Sequence, residues 1–383
     1  MPDAYIALET GDVLAARSRS PGTARGELVF TTPYAGYEES LTDPSYAAQV
    51  LSFAYPLVGN YGVRSERFES DRVHPSAVLA RELTDEVAAW LQAEAVPAVD
   101  QLDTRDLVLE IRERGAMRCG IAAGPDATPD AAMAQLDTCP HMSDLTDVGD
   151  WVSVAEPRFV PAMPAPRDGN GPAAFDPDRP TVALIDCGTK ASIVDSLTAR
   201  GADVAVLPHD TPASAVRDLD PDVLFVSNGP GDPATYEAAE RLVSTLAGEV
   251  PIAGICLGMQ IVARALGGTT EKMAFGHRGV NQPVLDQESG EVVMTTQNHG
   301  YMVADAGDLA VTQVNVNDDT PEGAASADLD VLVRQYHPEA NPGPHDTLGF
   351  FADVLAMAQG TPAPDETYAA TAAALSGEPD TSR

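Results

Sequence analysis

A cysteine between two glycines is the residue whose surroundings most strongly indicate chemistry in this sequence. Cys256 follows a short apolar run, has Gly254 and Gly258 two positions away on either side, and precedes an amphipathic segment over 261–266. This G-x-C-x-G spacing is the cysteine form of a nucleophile elbow, in which a strand ends, the chain turns sharply and a helix begins. We expect the helix N-terminus to stabilise a thiolate, and the backbone N–H after the cysteine to stabilise an oxyanion. Taken alone, the stretch also fits a buried structural cysteine.

A histidine and a glutamate near the end of the chain supply the partners that a cysteine nucleophile needs. His337 and Glu339, separated by one proline, follow the predicted strand 331–336. Histidine accepts and returns a proton near neutral pH, and a neighbouring carboxylate orients the imidazole. Cys139 and His141 form a competing pair, but they lie in a loop rich in proline and aspartate that has no elbow.

Two other glycine-containing stretches lack the spacing of a nucleotide-binding loop. Lys190 follows a single glycine and a threonine, so the G-x-x-x-x-G-K-[ST] pattern is absent. Gly229-Pro230-Gly231 has no accompanying lysine, and it indicates a rigid loop that presents backbone N–H groups. We therefore expect no nucleotide site in this chain.

The composition is that of an acidic globular protein with room for two domains. The 383 residues include 23 Lys+Arg and 58 Asp+Glu, which gives a net charge of −35, and 44% are hydrophobic. The many apolar runs exclude a disordered acidic chain. Acidic residues spread along the whole sequence are typical of adaptation to high salt, where repulsion is screened; an acidic protein from a low-salt organism is the alternative. A field this negative argues against nucleic acid as a partner.

The cysteines and the N-terminus indicate a cytoplasmic protein. The four cysteines show neither a C-x-x-C pair nor a metal-like spacing with histidine, so we expect a reducing environment and no metal site (Cys119, Cys139, Cys187 and Cys256). No apolar run is long enough to span a bilayer, and the first residues lack the features of a signal peptide. We expect no membrane association.

Residues 1–156 predict a mixed α/β domain in an α+β or three-layer arrangement. Residues 31–46 are rich in turn-forming residues and predict a loop. The expected strands cover 5–9, 13–17, 27–32 and 49–55, the first two joined as a hairpin, and the expected helices cover 84–94 and 103–114.

The proline-rich residues 157–180 indicate an interdomain linker. Beyond it, over 181–360, apolar runs alternate with amphipathic segments, which predicts a doubly wound, mostly parallel sheet with helices on both faces. In such sheets functional residues gather at the carboxyl ends of strands, where Gly188, Gly229 and Cys256 fall. The acidic tail 361–383 is expected to be loosely held, with a short helix over 367–375.

These motifs together resemble a known family. The stretch 254–260 with His337-Pro338-Glu339 resembles the class I, or triad, glutamine amidotransferases. More narrowly, the second half of the chain resembles the small, glutamine-hydrolysing subunit of carbamoyl-phosphate synthase at 227–233, 275–279, 297–300 and 337–346. The first half resembles that subunit's own N-terminal domain at 36–46 and 59–62. The resemblance covers residues 3–358.

The resemblance implies an activity and a set of site residues. Cys256 would attack L-glutamine as the nucleophile, His337 would act as base and acid, and Glu339 would orient it. The amides of Leu257 and Gly231 would form the oxyanion hole. The implied glutamine pocket comprises Ser45, Gly229, Gly231, Leu257, Gln260, Asn298, Gly300 and Tyr301.

The resemblance also implies a partner. Ammonia would pass through a tunnel to a large, ATP-dependent subunit, which would make carbamoyl phosphate from bicarbonate for arginine and pyrimidine synthesis. ATP and Mg are expected in that subunit only, with no cofactor in this chain. Met259 and Asn341 depart from the histidine and serine usual in the family, and neither position belongs to the triad.

Two other functions stay open on the sequence. A stand-alone γ-glutamyl or cysteine hydrolase would use the same elbow, although the large N-terminal domain argues against it. A non-catalytic, glutamine-binding regulatory subunit would have no need to keep Cys256, His337 and Glu339 together.

Overall fold

The computed structural model describes residues 2–163 and 178–361. Its N-terminal part is a closed barrel of seven strands in the order β1-β2-β8-β6-β4-β3-β9. The small strands β5 and β7 pair separately. The strands are β1 (Ala4–Leu8), β2 (Val13–Ser20), β3 (Gly22–Thr31), β4 (Gln49–Phe53), β5 (Leu57–Val58), β6 (Ala77–Leu79), β7 (Glu82–Leu83), β8 (Ala98–Asp100) and β9 (Met117–Ala123).

Four helices accompany the barrel: α1 (Tyr37–Thr42), α2 (Asp85–Ala93), α3 (Thr104–Arg114) and α4 (Pro129–Asp137). Two of them begin with a side-chain cap, since the Thr84 side chain accepts from the Val87 N–H and the Asp103 side chain from the Asp106 N–H. The sequence pattern predicted the first hairpin, but not the closure of the sheet into a barrel. The expectation of a loop over 31–46 was partly wrong, because α1 lies within it.

The C-terminal part is built on one ten-stranded sheet in the order β10-β12-β11-β13-β14-β19-β18-β17-β15-β16. Its strands are β10 (Arg158–Val160), β11 (Thr181–Asp186), β12 (Asp203–Pro208), β13 (Val223–Val226), β14 (Ile252–Ile255), β15 (Thr269–Asp286), β16 (Val292–Asp305), β17 (Ala310–Asn315), β18 (Pro321–Ser326) and β19 (Val331–Arg334).

Only the central strands of this sheet, β12-β11-β13-β14-β19, are parallel to one another. Strand β10 pairs antiparallel with β12 at one edge, although the sequence placed these residues in the linker. Residues 164–177 of the predicted linker and the predicted tail helix lie outside the described residues. β18, β17, β15 and β16 extend the other edge as antiparallel strands.

Helices cover both faces of the parallel strands, as the alternating pattern predicted. α6 (Ala213–Leu219), α7 (Glu237–Leu246) and α8 (Leu257–Ala265) pack on one face, and α5 (Ala191–Thr198) and α9 (Phe350–Ala358) on the other. The strands between them are buried on both sides, which explains their continuous apolar runs. Among the described residues, no helix has the length and apolar character needed to cross a bilayer.

Side chains of the barrel reach directly into the second domain. Lys272 Nζ lies 2.5 Å from Glu27 Oε1, the Asn228 amide donates to the Ser45 hydroxyl oxygen at 2.9 Å, and Ser192 donates to the Glu69 carboxylate. The boundary between the two domains is therefore polar, and it borders the carboxyl ends of the parallel strands.

Candidate active site

The strand–turn–helix expected around Cys256 is present. Strand β14 ends at Ile255, and α8 begins at Leu257. Cys256 itself has φ 57° and ψ −107°, a conformation that costs energy for any residue other than glycine. A Cβ at Gly258 would lie 2.0 Å from the carbonyl oxygen of Val226, so this position admits only glycine. The turn therefore holds the cysteine in a strained conformation at the helix N-terminus.

His337 and Glu339 form a buried hydrogen-bonded pair at the carboxyl end of β19. His337 Nδ1 donates to Glu339 Oε1 at 2.7 Å, and both residues are at most 3% exposed. This bond fixes the tautomer and leaves Nε2 for the cysteine. Burial lowers the pKa of His337, but the charges of Glu339 and the Cys256 thiolate outweigh it and raise the pKa to about 10. The pair thus favours the imidazolium form of His337.

Glu339 stays ionised because two cations face it. Burial raises its pKa, but Lys190 and His337 together lower it to about 2. Lys190 Nζ lies 3.0 Å from Glu339 Oε1 and 3.5 Å from Glu69 Oε1, which belongs to the N-terminal domain. It also donates to the backbone oxygen of Asn341 at 2.8 Å. A charged chain therefore runs from the N-terminal domain to the triad.

Sequence reasoning missed both Lys190 and Glu69. The sequence around Lys190 lacks the spacing of a phosphate loop, and nothing in the local pattern connects this lysine with Glu339, 149 positions away. The carboxylates of Glu69 and Glu339 belong to residues that are each 3% exposed, and Lys190 is equally buried. Opposite charges buried at such depth are found where they are paired, which is what the fold provides here.

All eight residues predicted for the glutamine pocket line one cavity beside Cys256. Ser45 comes from the N-terminal domain, and the others come from the loop after β13, from α8 and from β16. Leu257 is the first residue of α8, so its N–H has no acceptor within the helix. Gly231, with φ 91°, lies across the cavity. These are the two backbone amides that the resemblance assigned to the oxyanion hole.

Several of the predicted pocket residues use their side chains to hold the walls in place. The Asn298 amide donates to Asp43 Oδ2 at 3.1 Å, and its oxygen accepts from Arg278 at 2.6 Å. Gln260 Nε2 donates to the backbone oxygen of Tyr301 at 2.8 Å. The side chains of Asn298 and Gln260 therefore cross-link the pocket walls, while the backbone oxygen of Asn298 lies 3.7 Å from Cys256 Sγ.

A second small cavity lies beside the triad, next to the first. Asn298 lines both cavities, and His337 and Lys190 line only the second. The remaining walls come from both domains: Thr31, Pro33, Glu39, Ser40, Asp43 and Tyr46 from the first, and Gly279, Val280, Thr296, Gln297, Asn341 and Pro342 from the second.

Among the described residues, one buried cluster has the residue types of a metal site. His277, His299 and Glu322 offer donor atoms within 4.8 Å of one another. His277 already contacts Asp318 and Glu322 through its two ring nitrogens, and His299 contacts the backbone oxygen of Tyr301 and the amide of a glutamine. Both ring nitrogens of each histidine therefore already have partners, although Glu322 Oε2 has none among the described residues, and we propose no metal there.

The departures from the family pattern lie outside the catalytic contacts. Met259 of α8 is fully buried in the hydrophobic core. The backbone oxygen of Asn341 accepts from Lys190, and its side chain takes no part in this bond. In the competing pair, burial raises the pKa of the Cys139 thiol, which makes it a poor nucleophile. His141 is exposed.

Comparison with known proteins identifies the class. Residues 183–357 match the family model described as "Glutamine amidotransferase class-I", and they contain the elbow, the triad and most of the pocket. Residues 6–121 match the model described as "Carbamoyl-phosphate synthase small chain, CPSase domain". The fold and the site are thus those of a class I glutamine amidotransferase joined to a small-chain N-terminal domain.

Full-length relatives narrow this class to one family. The carbamoyl phosphate synthase small chain of Halobacterium salinarum is 68% identical over 95% of this chain and 99% of its own length. The small chain of Archaeoglobus fulgidus is 41% identical over 91% of this chain and 96% of its own length. The small chain of Akkermansia muciniphila is 39% identical over 92% of this chain and 97% of its own length. The chain belongs to the carbamoyl phosphate synthase small chain family.

Proposed function

We propose that this chain hydrolyses L-glutamine through a Cys256 thioester and delivers the ammonia to a large, ATP-dependent subunit for carbamoyl phosphate synthesis. The observation that carries the proposal is the bond of 2.7 Å between His337 Nδ1 and Glu339 Oε1, which leaves Nε2 for the cysteine at the strained elbow. Membership of the small chain family supplies the reaction in which such a site would work.

The reaction starts with attack of the Cys256 thiolate on the side-chain amide carbon of glutamine. The amides of Leu257 and Gly231 stabilise the tetrahedral oxyanion, at roughly 3 kcal/mol of the barrier per donor. The His337 imidazolium donates its proton from Nε2 to the leaving nitrogen, and ammonia departs. His337 then takes a proton from the attacking water, which releases glutamate and restores the thiolate.

Ammonia leaves through the second cavity. His337 lines this cavity, the pocket residues Gly229 and Gly231 do not, and its walls come from both domains. A bulkier side chain there should block transfer without stopping hydrolysis. In the complex with the large subunit, we expect Val280→Phe to lower carbamoyl phosphate formation from glutamine while glutamate release and synthesis from external ammonium continue. Val316→Phe, at an exposed valine, is the control.

Glutamate release tests the proposal as a whole. The purified chain in about molar KCl, where the Debye length is ~3 Å, is assayed with and without the large subunit. Activity should rise with the partner, disappear in Cys256→Ala and persist in Cys139→Ala. Partner-independent activity on other γ-glutamyl compounds would identify a stand-alone hydrolase, and a folded chain that releases no glutamate under any condition would identify a regulatory subunit.

A further inference from the structure

Three residues outside the predicted glutamine pocket also line the cavity beside Cys256. Glu27 and Gln49 come from strands β3 and β4 of the barrel, and Arg278 comes from β15. All three are at most 7% exposed. They bring a carboxylate, an amide and a guanidinium into a pocket that three glycines also line.

Gln49 offers this pocket a buried acceptor. Its Nε2 donates to Glu27 Oε2 at 3.2 Å, which fixes the orientation of the amide. The opposite atom, Oε1, is buried and has no hydrogen-bond partner among the described residues. Glu27 is held from its other side by Lys272, so the acceptor is backed by an anchored carboxylate.

Arg278 offers a buried donor. Its Nη1 donates to Asn298 Oδ1 at 2.6 Å, which directs the guanidinium along the pocket wall. Its Nε is buried and has no partner within the described part of the chain. Asn298 is fixed in turn by Asp43, so the donor belongs to a network that spans the domain boundary.

A free acceptor and a free donor in one pocket match the two charged groups of an amino acid. An α-ammonium carries three donors and an α-carboxylate carries only acceptors. A buried polar atom without a partner is unfavourable, so a ligand that pairs both atoms is preferred over one that pairs neither. The thiol of Cys256, in the same cavity, would then face the side-chain amide.

We propose that Gln49 Oε1, supported by Glu27, accepts from the α-ammonium of the substrate, and that Arg278 Nε donates to its α-carboxylate. The inference rests on the proposed function, in which the substrate is L-glutamine. It assigns selectivity for a free α-amino acid to residues from both domains. Amides that lack one of the two charged groups should therefore bind less tightly than glutamine.

Three amides and two variants separate the two contacts. The measurement is the ligand concentration that half-protects Cys256 from alkylation by iodoacetamide in the full-length chain. 4-Carbamoylbutanoate lacks the α-ammonium, and 4-aminobutanamide lacks the α-carboxylate. We expect Gln49→Met to raise the half-protecting concentrations of L-glutamine and 4-aminobutanamide about tenfold and to leave that of 4-carbamoylbutanoate unchanged. Arg278→Met should raise those of glutamine and 4-carbamoylbutanoate only.

The controls distinguish this inference from the proposed function. The unprotected alkylation rate is measured for each variant, and the three amides are compared within that variant; Gln92→Met, a change on the exposed face of α2, should match the parent throughout. If glutamine protects but each variant weakens all three amides equally, or none of them, the assignment of the two contacts is wrong. If glutamine neither protects Cys256 nor is hydrolysed by the parent chain, the proposed function fails instead.

Discussion

Lys190 Nζ lies 3.0 Å from Glu339 Oε1, and both side chains are almost completely withdrawn from water. The same ammonium group lies 3.5 Å from Glu69 Oε1 in the N-terminal domain. Burial lowers the pKa of Lys190, but the two carboxylates outweigh burial and raise it. The lysine is thus permanently charged, and it joins the orientation of the triad to the position of the other domain.

Replacing this lysine should change how the activity depends on pH. Lys190 makes the largest contribution to the low pKa of Glu339, so Lys190→Met should raise that pKa and move the acid limb of the kcat/KM profile for glutamine to higher pH. The uncompensated carboxylates should also destabilise the fold by about 3–5 kcal/mol. Activity profiles and denaturant unfolding measure the two effects.

A second variant distinguishes orientation from charge balance. Lys190→Met combined with Glu69→Gln removes one buried charge together with its partner, so it should regain part of the lost stability. The acid limb should stay displaced, because Glu339 still lacks the charge of Lys190. If the Lys190→Met variant kept the pH profile of the parent, Lys190 would have no influence on the triad.

The raised pKa of His337 connects stability with alkaline pH. Its pKa is about 10 in the folded chain against an ordinary 6.5. A pKa raised by folding contributes stability that is fully present below about pH 6.5 and is lost as the pH rises towards 10. We therefore expect the difference in unfolding free energy between the parent and His337→Asn to shrink from pH 7 to pH 10. A difference that stays constant over this range would contradict the assignment.

The backbone strain at Cys256 can be measured without its thiol. Because φ is 57° there, glycine should fit better than alanine, and we expect Cys256→Gly to be more stable than Cys256→Ala by about 1 kcal/mol. In the interior of α8 the order should reverse, with Ala263→Gly less stable than the parent by about 1 kcal/mol. Thermal unfolding of the three variants and the parent compares the two positions. Equal stabilities at position 256 would show that the elbow is unstrained.

Gly258 should tolerate no side chain although it lies in a helix. Glycine to alanine normally stabilises a helix interior, but here the new Cβ would lie 2.0 Å from the carbonyl oxygen of Val226. We expect Gly258→Ala to destabilise the fold by about 1–3 kcal/mol and to lower glutaminase activity by moving Cys256. The control is Gly290→Ala, where a Cβ meets open space and only the positive φ opposes it.

The charge of −35 should make stability depend on salt. Repulsion between exposed carboxylates weakens as the Debye length falls from ~10 Å at 0.1 M to ~3 Å at 1 M salt, so the unfolding temperature should rise over that range of KCl. Sucrose at matched osmolality serves as the control for effects other than screening. An unfolding temperature that is independent of KCl would contradict the interpretation of the acidic surface as an adaptation to salt.

The sequence by itself determined those features whose signals are local. The glycines around Cys256 predict an elbow because no other residue fits so tight a turn. The continuous apolar runs predict parallel strands because strands covered on both faces need apolar side chains throughout. His337 and Glu339 could be predicted as partners because they are two positions apart at the end of such a strand.

Only the tertiary structure decided the contacts that join distant segments. Closure of the N-terminal sheet depends on pairing between β1 and β9, more than 100 residues apart, and no local pattern encodes that pairing. Lys190, Glu69, Gln49 and Arg278 are ordinary polar residues in the sequence. They become parts of the site because the fold buries them at the boundary between the two domains, where a charge or a polar atom needs a partner.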